Sequence, residues 1–254
     1  MPKPLLAAML GGLLAAFAAV PAFANDPLPR FEDPLCPGVA GLELEAAAMV
    51  VGRIRDNAGQ FGLRMAADGD CVPNLILAFV PDGRAFLERL QVNEPILFAQ
   101  MAAQERRELL ADTGPARAVL TTAARSRDGM SVPRRENLTD IPQAGMWSAH
   151  SRIYTPTRSD ILSALVLIDS TAVEGRSLTQ MADYATLRAL APASLLRFRE
   201  EASIISLFDG EGEAPAEMTA ADRALLTQLY RGPPNIGAAA RIAGVDRAVR
   251  KAGD

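Results

Sequence analysis

The run Ile161–Leu190, ILSALVLIDSTAVEGRSLTQMADYATLRAL, constrains the fold more than any other stretch of the chain. Ile161 to Ile168 is apolar without a break and has the length of a strand, so it reads as a strand covered on both faces. After a turn, Ser177-x-x-Gln180 forms a capping box, in which the two side chains satisfy opposing backbone amides and start a helix. Pro192 ends that helix. Leu178, Met181, Ala182, Ala185 and Ala189 share one face, and Leu187 and Leu190 lie on another. A helix apolar nearly all round belongs in the centre of a domain. One carboxylate, Asp183, interrupts it. An Asp in that setting must pair with a cation, accept good hydrogen bonds, or protonate. Arg127, Arg152, Arg158 and Arg188 are candidate partners, and Tyr154 and Tyr184 can add hydroxyls. The carboxylate is either a packing device that fixes helix against sheet or an acid, base or ligand anchor in a cleft.

The N-terminus predicts export. Lys3 is followed by the apolar run Leu5–Val20 and the small-x-small site Ala22-Phe23-Ala24. The run of about 16 residues falls short of the ~20 that span a bilayer. Residues 1–24 are therefore expected to be a cleaved signal peptide, and 25–254 a single periplasmic or secreted domain with no membrane span and a short helical tail. An exported chain with two cysteines, Cys36 and Cys71, is expected to join them. Closing that loop stabilises by roughly 4 kcal/mol in the chain-entropy model.

Composition removes several functions. The formal charge is −4, and −5 without Lys3, with three Tyr and one Trp, so nucleic acid is not an expected partner. The basic tail Arg241, Arg247, Arg250 and Lys251 reads as a solvated helical face. His150 is the only histidine, which rules out a multi-histidine metal site within one chain. There is no G-x-S-x-G and no phosphate-cradling glycine loop, so no cofactor and no metal are expected. Asp160, Asp169 and Asp183 could supply paired carboxylates, but their separation is open.

Elsewhere the pattern predicts a helix over Leu42–Ala58, with Leu42, Ala46, Met49, Val50 and Ile54 inward and Gly59 as its stop. A buried strand follows over Asn74–Val80, and Asp82 caps a helix over Arg84–Leu90. Shorter helical pieces at Pro95 and Gln104–Ala111 lead to a strand over Ala116–Ala124 and a turn at Ser126–Gly129. Ser131–Trp147 reads as a long loop carrying the sequon Asn137-Leu138-Thr139. A strand is expected over Ser148–Tyr154 and a turn over Thr155–Asp160. Thr219 caps a last helix with Asp222 at its third position.

The order of elements resembles a known family. Ser203-Ile204-Ile205 precedes Phe208-Asp209, and Thr219-x-x-Asp222-Arg223-x-x-Leu226-x-x-Leu229-Tyr230-x-Gly232 closes the chain. This resembles the catalytic half of matrixin-type zinc metalloproteases, and more closely exported bacterial proteins related to such zincins. Those proteases carry a strand, the helix H-E-x-x-H-x-x-G, a Met-containing turn with S-I-M, and a closing helix from L-T-x-x-D to L-Y-G. Residues 42–91 resemble their leading helix and strand, and 161–232 their catalytic helix and closure. The resemblance implies an α+β fold, a zincin-like mixed sheet packed against a long helix and a central helix. Placing Ala189 at the family's glycine puts Ala182 and Thr186 where the helical histidines belong and Asp183 at the catalytic Glu. With His150 as the only histidine, zinc proteolysis is excluded on composition. The resemblance therefore implies a metal-free binding module that takes a peptide, or another exported protein, along its edge strand. Two other readings stay open. One is a metal-independent hydrolase using Asp183 with Tyr184 and Arg188, beside cleft residues Arg127, Arg152, Tyr154, Arg158 and Asp160. The other is a structural or envelope-assembly protein.

Overall fold

The computed structural model describes residues 26–67, 69, 71–99, 101, 103–132, 153–196, 201–210 and 214–253. The expected signal peptide, His150, Arg152 and the sequon at Asn137 lie outside the described residues.

The chain is an α+β protein built on one mixed sheet. Its strands are β1 (Pro37–Ala40), β2 (Leu75–Val80), β3 (Ala116–Ser126) and β4 (Thr157–Asp169), in the order β1-β2-β4-β3. β1, β2 and β4 run parallel, and β3 pairs antiparallel with β4 at the edge. The apolar run of the opening motif is thus an inner strand. Its side chains alternate between two cores, as a period of two requires. Ala164, Val166 and Ile168 face α1 (Leu44–Gln60) and α4 (Leu178–Leu190). Leu165 and Leu167 face α2 (Gly83–Asn93), a 3-10 turn at Pro95–Phe98 and α3 (Ala103–Ala111).

Local signals account for the ends of these elements. Asp82 accepts a hydrogen bond from the Ala85 amide at 2.8 Å and starts α2. Both halves of the Ser177–Gln180 capping box are formed on α4. Cys36 and Cys71 are bonded, with their Cα atoms 6.1 Å apart, and so clamp the starts of β1 and β2. Asn74 reinforces the clamp, its Oδ1 accepting from the Cys36 amide at 2.8 Å. Gly41 turns the chain from β1 towards α1 with φ of 86°, where a Cβ would run into the Phe79 carbonyl.

The structure differs from the sequence pattern in three places. β4 begins at Thr157, so most of the segment expected as a turn is strand. Thr157–Asp160 pair with Ala123–Ser126 beyond a bulge at Thr121/Thr122, and ladder pairing overrides their polar composition. The strand expected over Ser148–Tyr154 lies mostly outside the described residues, and at its end Tyr154 forms an isolated bridge to Ile236. α1 runs through Gly59, and its inward stripe carries Asn57 while Met49 is 55% exposed. Arg241 is not on a solvated face. It lies in α7 (Ala238–Gly253), 5% exposed, and its guanidinium donates to the carbonyls of Gln228, Arg231 and Pro233. It thereby satisfies carbonyls at and just beyond the end of α6 (Ala220–Tyr230). Burial pulls its pKa down to about 10. Among the described residues, no helix is long and apolar enough to cross a membrane.

Candidate functional site

α4 carries the candidate chemistry, and two of its faces present opposite situations. The first face meets α1. Asp183 is fully buried and its carboxylate is saturated. The Arg53 guanidinium grips it side-on, Nε to Oδ1 at 2.8 Å and Nη2 to Oδ2 at 2.9 Å. Asn57 donates to Oδ1 at 2.7 Å, and the Met218 amide donates to Oδ2 at 2.7 Å. Burial alone would push this carboxyl up. The bonds from Arg53, Met218 and Asn57 outweigh it and hold the group below the ordinary carboxylate range. Arg53 is itself pushed up by its bond to Asp183. The same guanidinium reaches Glu217 at 3.1 Å, and Arg223 holds Glu217 from the other side at 2.8 Å. The carboxylate therefore ties α1, α4 and the entry to α6 together, and it is sealed from solvent.

The partner is Arg53, not any of the arginines nominated from sequence. The signal was present. Arg53 and Asn57 are four apart and interleave with Val50, Ile54 and Ala58, which puts two polar side chains on or beside the buried stripe of α1.

The positions aligned with zinc ligands do not fit a metal. Ala182 offers no donor atom, and the Thr186 hydroxyl donates to the Ala182 carbonyl at 2.8 Å. Among the described residues, no three of His, Cys, Asp or Glu group as a metal would require. Beneath α4, Ser203 begins a 3-10 turn over Ile204–Phe208, with Ile204 buried. Asp222 of α6 holds that turn, accepting from the Ser203 hydroxyl at 2.6 Å and the Ile204 amide at 2.9 Å. The same carboxylate completes the cap of α6 by accepting from the Thr219 amide at 3.0 Å.

On another side of α4 only Arg188 reaches a cavity, while Tyr184, one turn earlier, is buried. Tyr184 packs edge-on against Phe208, with ring centroids 4.9 Å apart, and burial pushes its hydroxyl up. Arg188 lines a cavity of about 530 Å³, a size that suits a small ligand or a chain end. α3 contributes Glu105, Glu108 and Leu109, β3 contributes Ala118, and α5 (Ala193–Leu196) contributes Leu196. The Arg188 Nε is buried without a hydrogen-bond partner, and no ion pair to it forms among the described residues.

The remaining polar candidates gather elsewhere. Arg158 donates to Asp160 at 2.9 Å, and Arg125 approaches the same carboxylate at 3.4 Å. Glu32 and Asp33 of the N-terminal segment close this network, 3.8 Å from Arg158 and 3.7 Å from Arg125. Asp160 is 1% exposed, and burial pushes it up against the opposing pull of Arg158. Arg127 passes its carbonyl to Arg158 at 3.5 Å, and Tyr154 is half exposed near α7. This group fastens the start of β4 to the N-terminal segment, and none of it lines the Arg188 cavity. Comparison with protein-family models, curated proteins and solved structures gives no match to the chain.

Proposed function

We propose that the protein is an exported, metal-free binding module on a zincin-like scaffold, and that it takes an extended peptide in the cleft beside β3. The observation that carries this reading is the contrast across α4: a saturated carboxylate on one side and, on the other, Arg188 lining a cavity with its Nε unpartnered. The order of elements supports the scaffold. An inner strand leads to a central helix, a Ser-Ile-Ile turn with Ile204 buried packs beneath it, and a capped closing helix tethers that turn through Asp222. The edge position of β3 supports the mode of binding, since an edge strand offers unpaired backbone groups to an incoming chain. The disulfide supports a periplasmic or secreted location, because such bonds persist in oxidising compartments. Asp183 is structural in this reading, since it is sealed and all its bonding is internal.

Hydrogen–deuterium exchange on the mature protein tests the reading. A pool of randomised octapeptides should slow exchange of the Ala118 and Leu120 amides and leave α1 unchanged. Unchanged exchange along β3, with no peptide retained, contradicts it.

A further inference from the structure

We infer that the cavity between α3 and the C-terminal half of α4 captures the free C-terminal carboxylate of an extended peptide, with Arg188 as its partner. This rests on the peptide-binding reading and adds which end of the peptide enters and what holds it.

Arg53 shows, in the same molecule, how a carboxylate satisfies such a guanidinium: side-on, through Nε and one terminal nitrogen. Arg188 carries the same fork; its Nε is buried and unpartnered, and the side chain lines a cavity instead of meeting a carboxylate. A carboxylate entering that cavity fits the two terminal nitrogens of the fork at once.

The backbone of β3 supplies the second contact. The Asp169 amide donates to the Pro115 carbonyl at 2.8 Å, which sets the antiparallel alternation. Arg117 and Val119 then bond towards β4, and the N–H and C=O of Ala116, Ala118 and Leu120 point to the outer edge. Ala118 also lines the cavity, so its outward groups meet a chain that ends there. Leu109, Leu196 and Ile205 give the walls an apolar part that suits an apolar last side chain.

Charge favours a peptide over a simple organic acid. Glu105, Glu108 and Asp112 line this cavity, and the two glutamates also line an adjoining one of about 390 Å³ that extends to Pro29 and Pro192. An isolated carboxylate is repelled by that rim. A peptide whose preceding residues are basic is attracted to it while its terminus reaches Arg188.

The test uses the mature protein and one randomised octapeptide pool made twice, with free C-termini and with amidated ones. The free-acid pool should be retained about tenfold more, the order expected for one charge-assisted bidentate contact. Its retained members should end in apolar residues and carry basic residues upstream. Arg188→Gln should bring acid retention down to the amide level and leave amide retention unchanged, while Arg188→Lys restores part of it. Equal retention of the two pools, with β3 amides still protected, overturns carboxylate capture and leaves the peptide reading standing. Retention of neither pool overturns both. If Arg188→Gln fails to fold by circular dichroism, the comparison of the two pools on the unaltered chain still decides.

Discussion

Arg53 packs against α4 and Arg188 belongs to it, and the two stand in opposite conditions. Arg53 is engaged: Asp183 takes its fork through Nε and Nη2, and Nη2 also reaches Glu217. Arg188 is unspent, with a buried nitrogen that nothing in the described protein bonds. The difference teaches that burial of a charged group on a central helix does not identify its role. What matters is whether the protein supplies the complement. Where it does, the pair holds elements together. Where it does not, the complement has to come from outside.

The comparison breaks most visibly at the saturated side. Arg53→Ala leaves Asp183 buried without its cation and should cost about 3–5 kcal/mol in chemical denaturation. A loss below about 1 kcal/mol would show that the Asn57 and Met218 bonds suffice alone. Asp222→Ala comes next. It removes the Asp222 half of the α6 capping box and both bonds to the turn at Ser203, with an expected loss of about 2 kcal/mol read the same way.

Acid sharpens the same contrast. The folded Asp183 carboxyl lies below its unfolded value of about 3.9. Its stabilisation is therefore complete well above that value and is lost as pH falls through the folded pKa. Asp160 acts with the opposite sign, because burial raises it and protonation relieves that cost. Asp183→Asn should lower stability at pH 7 and flatten the fall between about pH 5 and pH 2, measured by denaturant titration at each pH. A fall as steep as in the parent chain would remove Asp183 from the acid response.

The smallest effect is expected at the unspent side. Arg188→Met keeps the aliphatic packing and removes the unpartnered nitrogen, so stability should change by less than about 0.5 kcal/mol or rise. A loss of several kcal/mol would mean that Arg188 has a structural partner.

Much of this was legible in the residues. The inner strand, the capping boxes at Ser177 and Thr219, the Asp82 cap and the Cys36–Cys71 bond each rest on local chemistry that a sequence displays. Asp183 stood out because a carboxylate in an apolar helix demands an explanation. Its partner did not, because 130 residues separate Arg53 from Asp183 and only packing of α1 on α4 joins them. The cavity was hidden for the same reason. α3, β3, α4 and α5 each give it a few ordinary side chains, and no local spacing marks them. The extension of β4 to Thr157 was masked by polar residues that pair through backbone alone.

The most direct measurement follows the two Nε–H signals by nitrogen-15 NMR while the free-acid octapeptide pool is added to the mature protein. The Arg53 signal should exchange slowly and stay in place, and the Arg188 signal should move as its guanidinium gains a carboxylate. A stationary Arg188 signal beside a shifting Arg53 signal would contradict the assignment of the saturated and open sides of α4.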